Sequence, residues 1–172
     1  MVTMHRSENV DDPKRLDMLL TALSRVADDY KYPLLISVHP RTASKLDQFG
    51  LNPKSERVRL LEPLSFFDFV KLEKNAHAVL SDSGTVQEEC AIFGIPNVTI
   101  RDVTERPETI ECGSNILSGA SSEDVLQAVS IALSKSSEWT PPAEYIVSNV
   151  ADTAVKIILG YLSLRRHRAR FD

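Results

Sequence analysis

Cysteine is scarce in this sequence, since only Cys90 and Cys112 occur, and this excludes both a disulfide framework and a zinc-binding cysteine spacing. The net charge of −4 leaves no basic excess, which argues against general nucleic-acid binding. No apolar run approaches the length that spans a bilayer, and the N-terminus lacks the basic and apolar segments of a secretory signal. The four histidines have no metal-ligand spacing. These absences predict a cytoplasmic protein without a metal, a nucleic-acid partner or a membrane contact.

The chain is long enough to bury one core, and its 172 residues with 42% hydrophobic content predict a single globular domain over residues 1–172. Short apolar runs alternate along the chain with patterns of helical period. The predicted strands cover 33–38, 58–61, 77–81, 97–100 and 115–117. The predicted helices and helical turns lie around 13–26, 43–49, 66–75, 85–93, 107–112, 122–133 and 150–164, with Asp11 or Asp12 as the cap of the first and Ser121 as the cap of the sixth.

This alternation predicts the fold class. Continuous apolar strands separated by helices are typical of a parallel sheet that is covered on both faces. We therefore predict an α/β fold with a single Rossmann-like, doubly wound parallel sheet. The helix at about 150–164 closes the domain, and the apolar residues expected to face inward from it are Val150, Ala154, Ile158 and Leu162.

Three polar clusters directly follow predicted strands: His39–Arg41, Ser81–Gly84 and Arg101–Glu108. Because the carboxyl ends of parallel strands share one edge of a sheet, we expect these clusters to lie along a common ligand-binding edge. The second cluster also opens a helix, whose free backbone amides suit a phosphate group. The third cluster supplies arginines, which contact phosphates in a bidentate manner, so the pattern favours a diphosphate ligand.

A fourth cluster, His5–Asn9, precedes the first long helix, and two interpretations of it stay open. It is either a frayed terminus or a loop that meets phosphate through its histidine and arginine. Glu88 and Glu89 likewise either complement the dipole of their helix or hold ribose hydroxyls. Ser83 is a weak candidate nucleophile, because the sequence lacks the glycine two residues earlier that a nucleophile elbow uses.

With these residues, the chain resembles the C-terminal half of the non-hydrolysing UDP-N-acetylglucosamine 2-epimerases. The matching motifs extend over nearly the whole chain and are His5-Arg6-x-Glu8-Asn9, His39-Pro40, Asp82-Ser83-Gly84-x-x-Gln87-Glu88-Glu89 and Arg101-Asp102-x-Thr104-Glu105-Arg106-Pro107-Glu108. The resemblance implies one half of a GT-B-like enzyme, whose active site lies in the cleft between two Rossmann-like halves. It implies inversion at C2 of a UDP-2-acetamido sugar, by elimination of UDP to a 2-acetamidoglycal and re-addition to the other face, without a cofactor.

The resemblance also implies roles for individual residues of this sequence. His5 would be catalytic on the phosphate side of the cleft, Glu89 would hold the ribose, and Phe69 would lie near the uracil. The residues that would contact the diphosphate are Ser83, Gly84 and Thr85. The other residues implied to bind UDP or the sugar are Arg6, His39 and Arg106.

Some consequences of the resemblance reach beyond this chain. It implies that an N-terminal domain, which carries most of the acidic groups for proton transfer, is missing, and that the full-length form is a homodimer. Thr85 stands where many members have a second glycine, which looks more like the branch that makes UDP-N-acetyl-L-fucosamine and leaves the sugar open. Two alternatives remain. One is half of a UDP-sugar glycosyltransferase, against which the Thr104–Glu108 motif argues, and the other is a non-catalytic nucleotide-sugar-binding module.

Overall fold

The structure, a computed structural model, describes residues 1–134 and 138–168, with side chains described as far as residue 161. The chain divides into two compact units, Met1–Pro142 and Ala143–Asp172. The first unit contains the strands β1 (Val2–Met4), β2 (Leu34–Val38), β3 (Val58–Leu61), β4 (Val79–Ser81), β5 (Asn97–Thr99) and β6 (Asn115–Leu117). Its described helices are α1 (Ser7–Val10), α2 (Pro13–Tyr30), α3 (Pro40–Phe49), α4 (Phe66–Lys74), α5 (Gly84–Phe93), α6 (Pro107–Glu111) and α7 (Ser122–Ser134).

These strands form one six-stranded sheet in the order β3-β2-β1-β4-β5-β6. Every neighbouring pair is parallel. Parallel neighbours require crossover connections, and the helices between successive strands supply them. The arrangement is the doubly wound Rossmann order, so the predicted α/β fold class is confirmed.

Helix α2 shows how the apolar pattern produces this packing. The carboxylate of Asp12 caps the helix by accepting the Lys14 backbone N–H at 2.9 Å, and Pro13 occupies the first turn, where no intrahelical bond is lost. Its fully buried leucines, which recur at helical spacing, are Leu16, Leu19, Leu20 and Leu23. They join one hydrophobic cluster with residues of β1 and β2, so this helix covers the middle of the sheet.

Strand β1 lies at the centre of the sheet, between β2 and β4. Val2 is in register with Ile36 on one side and with Leu80 on the other, and it is completely buried. The frayed-terminus interpretation of the segment that follows is therefore wrong. The direction of winding reverses between β1 and β4, and ligands of open α/β sheets bind beyond the carboxyl ends of the strands at such a switch point. The residues after Met4 and Ser81 occupy this position.

Two local predictions differ from the structure. Helix α3 begins at Pro40 rather than near residue 43, because His39 is its N-cap and a proline fits the first helical position. In the second unit, a 3-10 helix (Ala143–Ile146) precedes α8 (Val150–Arg168), which is longer than predicted.

The prediction that α8 turns an apolar face inward is wrong for Val150, Ala154 and Ile158, which are exposed, and the side chain of Leu162 lies outside the described residues. The other described element of this unit is a single 3-10 turn, which is too short to cover such a face. Among the described helices, none combines the length and the apolar character that crossing a membrane requires.

Candidate functional site

The carboxyl ends of β1 and β4 border a pocket of about 450 Å³. Its lining comes from the segments that follow β1, β4 and β5 and consists of His5, Arg6, Ser83, Gly84, Thr85, Glu105 and Arg106. Two arginines, a histidine and the start of a helix thus converge at the switch point of the sheet. This combination of cationic side chains and backbone amides suits an anionic ligand.

Helix α5 begins at this pocket. Ser83 is its N-cap, but the Ser83 side chain makes no capping hydrogen bond, so it does not compete for the first-turn amides of Gly84 and Thr85. The Ser83 backbone N–H donates to the Ser81 hydroxyl at 3.0 Å, which fixes the turn. A Cβ on Gly84 would lie 3.8 Å from the guanidinium carbon of Arg106 and would narrow the space between them. The helix start therefore offers backbone donors and a favourable dipole to an anion.

Asp82 ties the segment after β1 to the segment after β4. Its side chain is fully buried, and its carboxylate accepts the backbone N–H groups of His5 and Arg6, each at 2.9 Å. Asn9 Nδ2 donates to the same carboxylate at 3.1 Å and to the carbonyl of Ile100 at 3.0 Å. These bonds fix the position of the His5–Arg6 loop relative to the start of α5.

The two histidines that the sequence singled out lie next to each other. The ring centroids of His5 and His39 are 5.4 Å apart, at an interplanar angle of 34°. Nδ1 of His5 lies 3.3 Å from Oδ1 of Asp82. Nδ1 of His39 accepts the backbone N–H of Arg41 at 3.2 Å, so His39 caps α3. His5 lines the pocket, whereas His39 supports it from the end of the neighbouring strand.

The two arginines after β5 have different surroundings. Arg101 is only 5% exposed, and its guanidinium donates to Glu105 at 2.7 and 3.0 Å and to Glu8 at 2.7 Å. The bond from Arg101 lowers the pKa of Glu105 to about 2. Since two carboxylates already pair with Arg101, it fixes the loop, and it is absent from the pocket lining. Arg106 lines the pocket and pairs with Glu88 of α5.

A buried glutamine attaches the Thr104–Arg106 segment to α5. Gln87 Oε1 accepts the Thr104 hydroxyl at 2.6 Å and the Asn115 amide at 3.2 Å. Thr104 Oγ1 in turn accepts the backbone N–H of Arg106 at 3.0 Å. The cationic side chain and the helix-start amides thus belong to one hydrogen-bonded unit. These bonds hold the motif that contains Gln87 against the motif that contains Arg106.

Helices α4 and α5 meet through a buried polar contact, in which the Cys90 thiol donates to Glu73 Oε1 at 3.4 Å. Glu73 is completely buried, and burial, followed by the charge of Glu89, raises its pKa to about 7. Burial, followed by the charge of Glu88, also raises the pKa of Glu89. Phe69 lies one turn before Glu73 and is half-buried. Phe69 and Glu89 therefore occupy adjacent helices that pack together.

The structure brings most of the predicted site residues into one place. The predicted residues that line the pocket are His5, Arg6, Ser83, Gly84, Thr85 and Arg106. Among the described residues, His39, Phe69 and Glu89 do not line it, and what any of these residues binds stays a prediction. Sequence reasoning gave no role to Asp82 or Asn9. The available signal was an aspartate between β4 and the start of α5, but it required recognising β1. Within the described part of the chain, no cluster of three or more potential metal ligands occurs.

Sequence comparisons find 2-epimerases among the relatives of this chain. A family model described as UDP-N-acetylglucosamine 2-epimerase matches residues 1–159. The UDP-N-acetylglucosamine 2-epimerase of Methanocaldococcus jannaschii is 41% identical over 145 residues, which cover 83% of this chain and 40% of that protein. The UDP-2,3-diacetamido-2,3-dideoxy-D-glucuronate 2-epimerase of Pseudomonas aeruginosa is 36% identical over 135 residues, which cover 78% of this chain and 37% of that protein. The chain thus spans about two fifths of the length of these curated relatives.

Solved structures agree with the sequence relatives. The crystal structure of the M. jannaschii UDP-GlcNAc 2-epimerase in complex with UDP-GlcNAc and UDP matches with a TM-score of 0.84 and 38% identity, over 93% of this chain and 44% of that one. The S. aureus MnaA–UDP structure matches with a TM-score of 0.75 and 30% identity, over 95% of this chain and 46% of that chain. In both cases nearly all of this chain corresponds to less than half of the neighbour.

Proposed function

Because the chain belongs to the UDP-N-acetylglucosamine 2-epimerase family, we propose that it is the UDP-binding, C-terminal part of an enzyme that inverts C2 of a UDP-2-acetamido sugar. In this proposal residues 1–172 form the nucleotide-binding half of a GT-B-like enzyme, with α8 as its closing helix. The glycosyltransferase alternative is set aside, because the family match and the named relatives are 2-epimerases.

One observation carries the proposal: the pocket at the β1–β4 switch point joins helix-start amides to cationic side chains. A diphosphate carries several anionic oxygens, and backbone amides with arginine forks bind these oxygens well. We assign the diphosphate contacts to Ser83–Thr85 and to Arg106, with Arg6 and His5 facing it from the end of β1. His39, which lies against the His5 ring, completes this side of the site.

The nucleoside is assigned to the region where α4 and α5 pack together. Phe69 offers an aromatic face to the uracil, and a carboxylate on Glu89 accepts the ribose hydroxyls. The contact between Glu73 and Cys90 brings these two helices together and supports this assignment. Phe69 and Glu89 do not line the 450 Å³ pocket, so we place the diphosphate in the pocket and the nucleoside along the neighbouring helices.

The proposed reaction removes the C2 proton, breaks the bond between C1 and the UDP oxygen, and leaves a 2-acetamidoglycal. UDP then adds back at C1, and a proton returns to C2 on the opposite face. His5 is the catalytic residue that we assign to this chain, beside the leaving diphosphate. The named relatives act on UDP-N-acetylglucosamine and on a UDP-diacetamido-glucuronate, so we propose a UDP-2-acetamido sugar as the substrate class.

The remaining parts of the proposal concern the whole enzyme. An N-terminal domain supplies the second wall of the cleft and the acidic groups for proton transfer, and the full-length enzyme is a cytoplasmic homodimer. The coverage of about two fifths of each relative supports the need for a further domain. Both cysteines are free thiols, which agrees with a reducing compartment.

Titration calorimetry of the 172-residue chain with UDP, UMP and GDP tests the nucleotide site. We expect UDP to bind, UMP to bind more weakly because it lacks the second phosphate, and GDP to bind more weakly because its base is larger. A folded sample, verified by circular dichroism, that shows no UDP binding at millimolar nucleotide would overturn the proposal. Equal affinities for UDP and GDP would overturn the assignment of the uracil region.

A further inference from the structure

Asp82 contacts the His5 side chain as well as the loop that carries it. Its carboxylate is fully buried and receives the backbone N–H groups of His5 and Arg6 together with the side-chain amide of Asn9. Nδ1 of the His5 imidazole lies 3.3 Å from Asp82 Oδ1. A carboxylate only accepts hydrogen bonds, so it repels the lone pair of an unprotonated ring nitrogen and favours an N–H at that position.

We propose that Asp82 is a positioning residue, which holds the His5 ring with its proton on Nδ1 and thereby presents Nε2 to the ligand in the pocket. The hydrogen bond made by one ring nitrogen determines which state the other nitrogen is in. This inference rests on the proposed UDP site, because it concerns the side chain assigned to the leaving diphosphate.

The same carboxylate determines which groups the β1 segment offers to a ligand. The backbone N–H groups of His5 and Arg6 are used by Asp82, so this segment contributes side chains to the pocket. The β4 segment contributes the amides at the start of α5. Asp82 therefore gives the two segments different roles, because the β1 segment contributes side chains to the pocket and the β4 segment contributes backbone donors.

Asn9 keeps Asp82 in place. Besides its bond to the carboxylate, its amide donates to the Ile100 carbonyl, and its oxygen accepts Arg15 Nε at 2.9 Å. The ends of β1, β4 and β5 are thus connected through one buried network. A fixed carboxylate is needed, because one side chain positions another effectively only when its own rotamer is held.

The first experiment measures the imidazole ¹⁵N shifts of the chain labelled at histidine, which distinguish the two neutral tautomers. His5→Gln identifies the His5 signals. We expect His5 to be in the Nδ1–H form in the wild type and a mixture of both tautomers in Asp82→Asn. Thr42→Val is the matched control, because it removes the 2.6 Å bond from the Thr42 hydroxyl to the Met4 carbonyl and loosens the end of β1 without touching Asp82. Thr42→Val should retain the wild-type tautomer.

The second experiment is a double-mutant cycle on UDP affinity with Asp82→Asn, His5→Gln and the combined variant. If Asp82 acts through His5, Asp82→Asn weakens UDP binding by about tenfold in the wild type and by less than about twofold in the His5→Gln background. A merely structural role predicts the same loss in both backgrounds, and that result would overturn the proposal.

The outcomes separate this inference from the nucleotide site itself. A wild-type His5 in the Nε2–H form overturns the role of Asp82, whether or not UDP binds and whether or not the Asp82→Asn variant folds. Conversely, an Nδ1–H form in a chain that fails to bind UDP supports the positioning contact and contradicts the proposed function.

Discussion

The guanidinium of Arg106, one of the two arginines that line the pocket, is paired with the carboxylate of Glu88 on α5. Both side chains are about one third exposed, at 35% and 30%. A diphosphate that enters the pocket competes with Glu88 for the same donors. Substitutions of the two partners are therefore expected to change UDP affinity in opposite directions.

Arg106→Ala should weaken UDP binding by about 10- to 100-fold, since a charge-assisted contact contributes about 1.5–3 kcal/mol. Arg41→Ala is the matched control, because Arg41 pairs with Asp11 near the start of α3 and does not line the pocket. It should change the Kd by less than about twofold, as surface ion pairs contribute little. Titration calorimetry with UDP measures both, and equal losses would contradict the assignment of Arg106.

Glu88→Gln should strengthen UDP binding by about threefold, because it removes the competing carboxylate and a negative charge near the diphosphate. It should also lower the pKa of Glu89, which the charge of Glu88 raises. The same titration, with the exposed Glu111→Gln as the control for net charge, measures the effect. Weaker binding in Glu88→Gln than in Glu111→Gln would show that the pairing aids the site.

Glu73 gives the stability of this chain a dependence on pH. Burial raises the pKa of this carboxyl from 4.5 to about 7, so the folded chain holds a proton that the unfolded chain releases between these pH values. The free energy of unfolding therefore falls as the pH rises through this interval. The loss is about 3 kcal/mol when complete, since each pKa unit corresponds to about 1.4 kcal/mol.

Glu73→Gln should remove this dependence, because the amide does not titrate. Urea unfolding of both proteins across this pH range tests the expectation through the difference between their free energies. The difference also cancels the α-ammonium of Met1, whose pKa burial lowers to about 6 and whose contribution has the opposite sign. Parallel pH profiles for the two proteins would show that folding does not shift the pKa of Glu73.

The 172-residue chain alone should not epimerise a UDP-2-acetamido sugar at a measurable rate. Removal of the C2 proton needs a positioned base, which typically contributes ~10²–10⁴-fold, and a second group must return the proton on the other face. In this chain the acids nearest the pocket are engaged, since Glu88 pairs with Arg106 and Glu105 with Arg101. The glycal must also be held away from water, which requires a second wall.

Incorporation of deuterium at C2 from heavy water, followed by NMR with UDP-N-acetylglucosamine and with the substrate of the L-fucosamine branch, measures this. The M. jannaschii enzyme is the positive control, because it is a named 2-epimerase of which the match to this chain covers only 40%. Adding the proposed N-terminal domain should restore exchange. Solvent deuterium at C2 with the 172-residue chain alone would contradict the view that the second domain is required.

The sequence predicted five of the six strands and most of the pocket lining, because both depend on local patterns. Strands such as Leu34–Val38 are continuous apolar runs, and the Ser83–Thr85 turn follows one of them directly. Their position at a common edge then follows from parallel topology alone. Strand β1 was missed, because three residues are too few to show a period and their strand character comes from pairing with β2 and β4.

The missing strand also explains why the role of Asp82 was not predicted. The bonds from Asp82 to His5 and Arg6 span more than 70 residues of sequence and exist only because β1 lies beside β4. The exposure of the apolar face of α8 could not be predicted either, because it too depends on contacts that are distant in sequence. Apolar residues at helical spacing predict a helix face that packs against other residues. They do not indicate whether those other residues belong to the same unit of the chain.

The pairing of β1 with β4 also connects two sequential parts of the chain within the sheet. In the described sheet, this ladder joins the strands β1–β3 to the strands β4–β6. The pocket is lined from both sides of the β1–β4 pairing, by His5 after β1 and by Ser83 after β4. A nucleotide bound in this pocket would contact residues that follow both strands and would stabilise their pairing. Nucleotide binding should therefore slow amide hydrogen exchange along β1 and β4 more than along the outer strands. Recognition of the ligand and cooperativity of the fold would then depend on the same few hydrogen bonds.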